Sequence, residues 1–175
     1  MTGFEKIDSL FTREEIAARV SEMGAEISAF YKDKPLTVVV LMTGGMIFCA
    51  DLVRAMDIPL WIDSVSVSSY HGHESTGNLI FRSQMKMDVA NRHVLLVDEV
   101  FDTGFTLTEL RRYKISKGAL SVKAAVAVVK DVPRKQGGEI IEPEYCAFHA
   151  PDRYLIGYGL DSHEDGRQIP FIGAV

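Results

Sequence analysis

VLLVDEVFDTGFTL, residues 94–107, decides the fold. The leading apolar residues read as a strand buried on both faces of a parallel sheet. Two adjacent acids follow, Asp98 and Glu99, then two apolar residues, then Asp102-Thr103-Gly104-Phe105-Thr106 and a helix over residues 106–116. In an open α/β sheet, ligands sit beyond the carboxyl ends of strands. A turn with a glycine and two hydroxyls, feeding a helix N-terminus, offers N–H groups and a positive dipole end to a phosphate. The Asp98–Glu99 pair suits sugar hydroxyls, directly or through a magnesium ion, because both are hard oxygen partners. An acid-rich βα turn with a capping Asp or Thr is common by itself. The full order of strand, acid pair, two apolar residues, Asp-Thr-Gly-x-Thr and helix is much rarer. The Gly-Lys-Ser/Thr ending of nucleotide-hydrolase phosphate loops is missing.

Outward from this segment the chain alternates strands and helices. Thr12-Arg13-Glu14-Glu15 is a capping box. Ile16, Val20, Met23, Ile27 and Phe30 then recur at helical spacing, until Lys34-Pro35 ends the helix. LTVVVL, residues 36–41, is a β-branched apolar run, hence a buried strand. Gly44-Gly45 punctuates, and helical spacing resumes over residues 46–56. Residues 60–68 and 122–129 read as further strands, and residues 79–87 as an antiparallel one. Residues 70–78 and 133–143 read as loops. Short strands at residues 145–148 and 154–156 close the sheet, and the tail is irregular. The fold class is α/β with a mainly parallel sheet flanked by helices, in a single domain over residues 1–175.

The chain has 175 residues, 47% of them apolar and 25% charged, a globular balance. The net charge of -5 excludes a basic surface for nucleic acid or an acidic membrane. A phosphorylated ligand must then be held by local amides, a few cations and a metal. Cys49 and Cys146 lack metal-ligand spacing and read as free buried thiols. His71 and His73 have no further His or Cys nearby and read as solvated loop residues. No stretch approaches a membrane span and the N-terminus lacks a signal-peptide run, so the expected compartment is the cytoplasm.

Residues 94–107 resemble the phosphoribosyl-pyrophosphate signature of the type I phosphoribosyltransferases, and the resemblance extends over most of the chain toward the hypoxanthine–guanine branch. Leu41-Met42-Thr43-Gly44-Gly45 with Phe48-Cys49-Ala50-Asp51-Leu52 resembles that branch's pyrophosphate loop and next helix. Ser69-Tyr70 with Ser75-Thr76-Gly77 resembles its mobile catalytic loop. Pro151-Asp152-Arg153-Tyr154-Leu155-Ile156-Gly157-Tyr158-Gly159-Leu160-Asp161 is similar to its purine-binding stretch, and Arg167 follows at the matching distance.

The resemblance implies a type I phosphoribosyltransferase fold with a small hood of N- and C-terminal segments. It implies a Mg2+-dependent enzyme that moves the phosphoribosyl group of phosphoribosyl pyrophosphate onto hypoxanthine or guanine, as a homodimer or homotetramer. Asp102 would accept the proton from purine N7. Thr103, Gly104, Phe105 and Thr106 would hold the 5′-phosphate, Phe105 through its N–H alone. Asp98 and Glu99 would meet the ribose hydroxyls and, with Asp161, the metal. Their order is the reverse of the family's commoner Glu-Asp. Thr43 and Gly44 would bind pyrophosphate with Arg167; many relatives carry Lys or Arg at the Thr43 position, so here backbone N–H groups of residues 42–45 take the load. In the family the peptide before that position can be cis. Lys130 would donate to purine O6, favouring a 6-oxo over a 6-amino base. Tyr154, where Phe is usual, would stack on the base, and Leu155 would offer its backbone to the purine edge. Ser69 and Tyr70 would belong to a lid that excludes water. A xanthine-preferring enzyme is the near alternative. A regulator that senses phosphoribosyl pyrophosphate is the distant one, and the negative charge and missing recognition helix speak against it.

Overall fold

The computed structural model describes residues 7–69, 79–83, 86–133 and 139–175. The elements run β1 Asp8–Phe11, α1 Arg13–Tyr31, β2 Leu36–Leu41, α2 Met46–Arg54, β3 Leu60–Ser69, β4 Leu79–Ser83, β5 His93–Phe101, α3 Phe105–Ser116, β6 Ser121–Lys130, β7 Tyr145–Ala150, β8 Leu155–Ile156 and β9 Ile172–Ala174. Six strands form one sheet in the order β4-β3-β2-β5-β6-β7. All its pairings are parallel except the antiparallel β3–β4 edge.

The continuous apolar runs are explained by burial on two faces. Side chains alternate along a strand. Val38, Val40, Leu95 and Val97 pack with α1 and α2, alongside Val20, Met23, Ile27, Phe48 and Leu52. Val39, Leu41, Val94 and Leu96 face the other way, onto Leu107 and Leu110 of α3. Every residue of β2 is buried. The capping box forms as read: Glu15 N–H donates to Thr12 Oγ1 at 3.3 Å, and Thr12 N–H donates to Glu15 Oε2 at 2.8 Å.

Four details differ from the sequence reading. The buried face of α1 ends on Tyr31, which is fully covered, while Phe30 is 43% exposed, because the last step from Ile27 is four residues and not three. β5 does not end before the acids but runs through them to Phe101, kept in register with β6 by Asp98↔Val126 and Val100↔Val128. β8 does not close the main sheet, and the tail is not irregular. β1, β9 and β8 form a separate three-stranded antiparallel sheet, the hood. Cys49 is buried, and burial pushes its thiol up to about 11, while Cys146 is only half-buried. Among the described residues no helix is long and apolar enough to cross a membrane.

Strand order reverses between β2 and β5: from β2 the chain winds outward to β3, and from β5 outward to β6. The helices that follow, α2 and α3, lie on opposite faces. The loops leaving β2 and β5 therefore part at one crevice, where open α/β sheets bind ligands.

Candidate active site

Two hollows open at this crevice. The first, of about 250 Å3, is lined by Asp98, Val100, Phe101, Asp102, Thr103, Gly104, Thr106 and Leu107. The second, of about 170 Å3, is lined by Glu99, Val100, Asp102, Lys130, Tyr154, Leu155, Leu160 and Asp161. They share Val100 and Asp102, so Asp102 stands between them.

The first hollow is the turn into α3. Its N-cap is Gly104, with φ 78°, and no side chain caps the helix. The N-cap position is therefore Gly104 and not Asp102, which stands two residues earlier and lines the crevice. The nearest hydroxyl, Thr103 Oγ1, accepts from Phe105 N–H at 3.5 Å. A side chain at Gly104 would come within 2.5 Å of Phe101 and Ile140, so only glycine turns here without displacing the wall. An uncapped helix start with Thr103 and Thr106 beside it is an anion site in form. Asp98, at its edge, accepts Glu99 N–H at 3.0 Å. Burial, and then the neighbouring Glu99 carboxylate, push the Asp98 carboxyl well above the usual carboxylate range. With little water and a like charge beside it, the Asp98 carboxyl holds its proton more readily than an exposed one. A cation brought in by a ligand would favour its ionised form.

The loop after β2 lies against β5. The Met42–Thr43 peptide is cis. Met42 N–H is spent on Val65 O at 2.9 Å and Gly45 N–H on Leu41 O at 3.1 Å. The N–H groups of Thr43 and Gly44 have no partner among the described residues, so the expectation for residues 42–45 narrows to these two. Gly44 is packed on the Glu99 carboxylate, and a Cβ there would lie within 2.5 Å of both its oxygens.

The second hollow joins the sheet to the hood. Lys130 ends β6, is 16% exposed and sits 3.3 Å from the Asp152 carboxylate. Tyr154 stands over the mouth, 52% exposed, and so is not core packing. Leu155 is buried in β8, and Tyr154 O accepts Val175 N–H at 3.0 Å. Asp161 accepts Glu164 N–H at 2.8 Å and pairs with Arg167 at 2.8 Å. Arg167 lines neither hollow. Its guanidinium donates to Gly159 O at 2.7 Å and pairs with Glu164 at 3.1 Å.

Asp98, Glu99, Asp102, Thr103, Gly104, Thr106, Lys130, Tyr154, Leu155 and Asp161 are thus gathered in two adjoining hollows. Gly44 abuts Glu99, and Phe105 opens the helix. Tyr70 and residues 75–77 of the expected lid, like His71 and His73, lie outside the described residues, and of Ser69 only the backbone is described. Val100 and Leu160 lie in the matched stretches but were given no role, because an apolar lining residue carries no chemical signal. Asp152, in the same stretch, was given none either, because an exposed acid beside a proline looks like any turn.

No group of three or more His, Cys, Asp or Glu able to hold a metal ion occurs among the described residues. The available donors are carboxylate oxygens on Asp98, Glu99 and Asp161, which suit magnesium. That ion usually takes one or two carboxylates and fills its shell with water and substrate phosphates.

The fold is that of the phosphoribosyl transferase domain, whose family matches residues 6–159. A hypoxanthine-guanine-xanthine phosphoribosyltransferase of Tritrichomonas foetus is 36% identical over 173 residues, 99% of this chain and 92% of that protein. A hypoxanthine-guanine phosphoribosyltransferase of Aquifex aeolicus is 38% identical over 168 residues, 95% of this chain and 93% of that one. The crystal structure of a hypoxanthine phosphoribosyltransferase from Staphylococcus aureus superposes with TM-score 0.90 at 34% identity, covering 96% of this chain and 90% of that one. The chain belongs to the hypoxanthine–guanine phosphoribosyltransferase family.

Proposed function

We propose that residues 1–175 act as one catalytic domain that moves the 5-phosphoribosyl group of phosphoribosyl pyrophosphate onto hypoxanthine or guanine, releasing pyrophosphate and forming IMP or GMP. The observation that carries this reading is the pair of hollows sharing Asp102. The phosphate-type hollow takes the 5′-phosphate on the α3 start, with Thr103, Gly104, Phe105 and Thr106 supplying amides and hydroxyls. The adjoining hollow takes the base, with Tyr154 against its face and Lys130 donating to O6. The anomeric carbon then lies near Asp98 and Glu99, between the two.

The bond from that carbon to pyrophosphate oxygen breaks as a bond to a purine ring nitrogen forms. Positive charge grows on the ribose and negative charge on pyrophosphate. Holding both reactants in line is the larger part of the catalysis. Asp98 and Glu99 orient the ribose hydroxyls. The N–H groups of Thr43 and Gly44 meet the departing pyrophosphate. Asp102, which lines both hollows, takes the purine N7 proton. Arg167 reaches pyrophosphate by exchanging Asp161 and Glu164 for it. Magnesium, held by Asp161 with Asp98 or Glu99, would neutralise pyrophosphate charge. Ser69 and Tyr70 belong to the lid. The enzyme works in the cytoplasm, and, as its family resemblance implies, it does so as a homodimer or homotetramer.

One assay tests this. Purified protein is given phosphoribosyl pyrophosphate, magnesium and each of hypoxanthine, guanine, xanthine and adenine, and nucleotide formation is followed by absorbance. Turnover of the first two and not of adenine is expected, and Lys130→Ala should narrow the gap to adenine. No nucleotide from any 6-oxopurine would refute the activity. An unchanged base profile in Lys130→Ala would refute the role of Lys130.

A further inference from the structure

Gly157, Tyr158 and Gly159 form three successive residues with positive φ, 94°, 51° and 101°. Glycine adopts this backbone freely, but a tyrosine resists it. A strained residue persists where its surroundings over-determine it, and Tyr158 is held from three sides. Its N–H donates to Ile169 O at 2.8 Å. Its ring, 5% exposed, lies edge-on to Phe48 with centroids 6.4 Å apart. Its hydroxyl donates to Asp51 Oδ2 at 2.8 Å. Burial, and then the Asp51 carboxylate, push the phenol up, so it stays a donor.

Phe48 and Asp51 both belong to α2, the helix that starts directly after residues 43–45. The next residue, Gly159, touches the same loop from the other side, since a Cβ there would overlap Gly44 O. The segment that supplies Tyr154 and Asp161 is therefore braced on the Thr43–Gly44 loop at one point and on its helix at another. An open cleft of about 570 Å3 lies behind the Tyr158–Asp51 bond, with Arg13, Arg54 and Gln168 among its walls. The hydroxyl bond bridges this open side.

We propose that Tyr158 and Asp51 are positioning residues that set the spacing between the pyrophosphate-binding loop and the base-binding segment. This rests on the transferase reading above. In-line displacement needs leaving group and incoming base on opposite sides of one carbon, and the strut joins the elements that carry them. Its loss lets the loop drift relative to the hood. The effect falls on ligands bearing pyrophosphate, because Lys130 stands on β6 and Tyr154 has its own anchor in the hood, Val175 N–H on its carbonyl.

Tyr158→Phe keeps the ring and its Phe48 contact and removes only the hydroxyl. It should raise KM for phosphoribosyl pyrophosphate, and for pyrophosphate in the reverse reaction, by about tenfold, the weight of one hydrogen bond to a carboxylate. KM for the base should stay at the wild-type value. Asp51→Asn retains an acceptor oxygen and should restore wild-type KM values. Asp51→Leu should match Tyr158→Phe, and the double variant should be no worse than either. A Tyr158→Phe enzyme with unchanged KM values, or with equal rises for base and pyrophosphate ligands, would overturn the positioning role. A wild-type protein that forms no nucleotide would overturn the transferase reading, and the strut with it.

Discussion

Replacing Gly44 by alanine should disable the enzyme while leaving it folded. A methyl there would stand within 2.5 Å of both Glu99 carboxylate oxygens, where ordinary contact needs about 3.5 Å. Something must move by about 1 Å. The loop is the stiffer partner: Met42 N–H and Gly45 N–H anchor it to Val65 O and Leu41 O, and Gly159 stands directly behind Gly44 O. The Glu99 side chain is the softer partner and swings away. Stability should fall by no more than about 1 kcal/mol, since rotating a carboxylate at a crevice opens no core cavity. Activity should fall much further, because a misplacement of about 1 Å at the reacting centre costs about 100-fold. Steady-state kinetics with saturating base, paired with a thermal melt, checks both halves. Wild-type kcat/KM for phosphoribosyl pyrophosphate in Gly44→Ala would refute the inference that Glu99 must rest against this loop. A collapsed melting temperature would show instead that the loop, not the carboxylate, yields.

Asp102→Asn should lower turnover by about 100-fold or more while phosphoribosyl pyrophosphate still binds with wild-type affinity; calorimetric binding beside kcat checks it, and an equal loss in both would remove Asp102 from the proton transfer. Arg111 is buried and donates to both oxygens of Glu144, at 2.9 and 2.5 Å, while Glu144 also accepts Ala124 N–H at 2.9 Å. Arg111→Ala removes the two charged hydrogen bonds and leaves Glu144 its other partners, so it should cost about 2 kcal/mol in urea unfolding and leave specific activity at permissive temperature intact. His93 has its pKa lowered, by burial and then by Lys34. Below its ordinary value of 6.5 the unfolded chain takes up a proton that the folded chain resists, so this residue's contribution to stability falls as pH drops through 6.5 and is constant above it. The melting temperature of His93→Gln should therefore gain on wild type between pH 8 and pH 5.5, and parallel curves would refute the assignment.

Much of the candidate site was legible because the chemistry expected of it is local. Asp98, Glu99 and residues 102–106 occupy one strand end and one turn, and a short window encodes both the backbone path and the donors it presents. Lys130 and Tyr154 are different: a lysine after a strand and an aromatic after a turn carry no signal of their own. Their assignment came from family resemblance, and their shared hollow is a product of packing. Arg167 too was assigned by family resemblance, and its present partners, Asp161, Glu164 and Gly159 O, follow from how the tail folds back.

The sequence alone determined the element types and the layer they build, because β-branched runs and helical spacing act within a few residues. It also determined the phosphate-type turn, since glycine and hydroxyl spacing act at that same range. The hood was implied by resemblance, but the folded chain alone decided its strand pairing, because strands of two to four residues are too short to show a period. It decided too that Gly159 abuts Gly44 and that Asp102 stands between two hollows. Such contacts join residues far apart along the chain, and only the packing of whole elements brings them together.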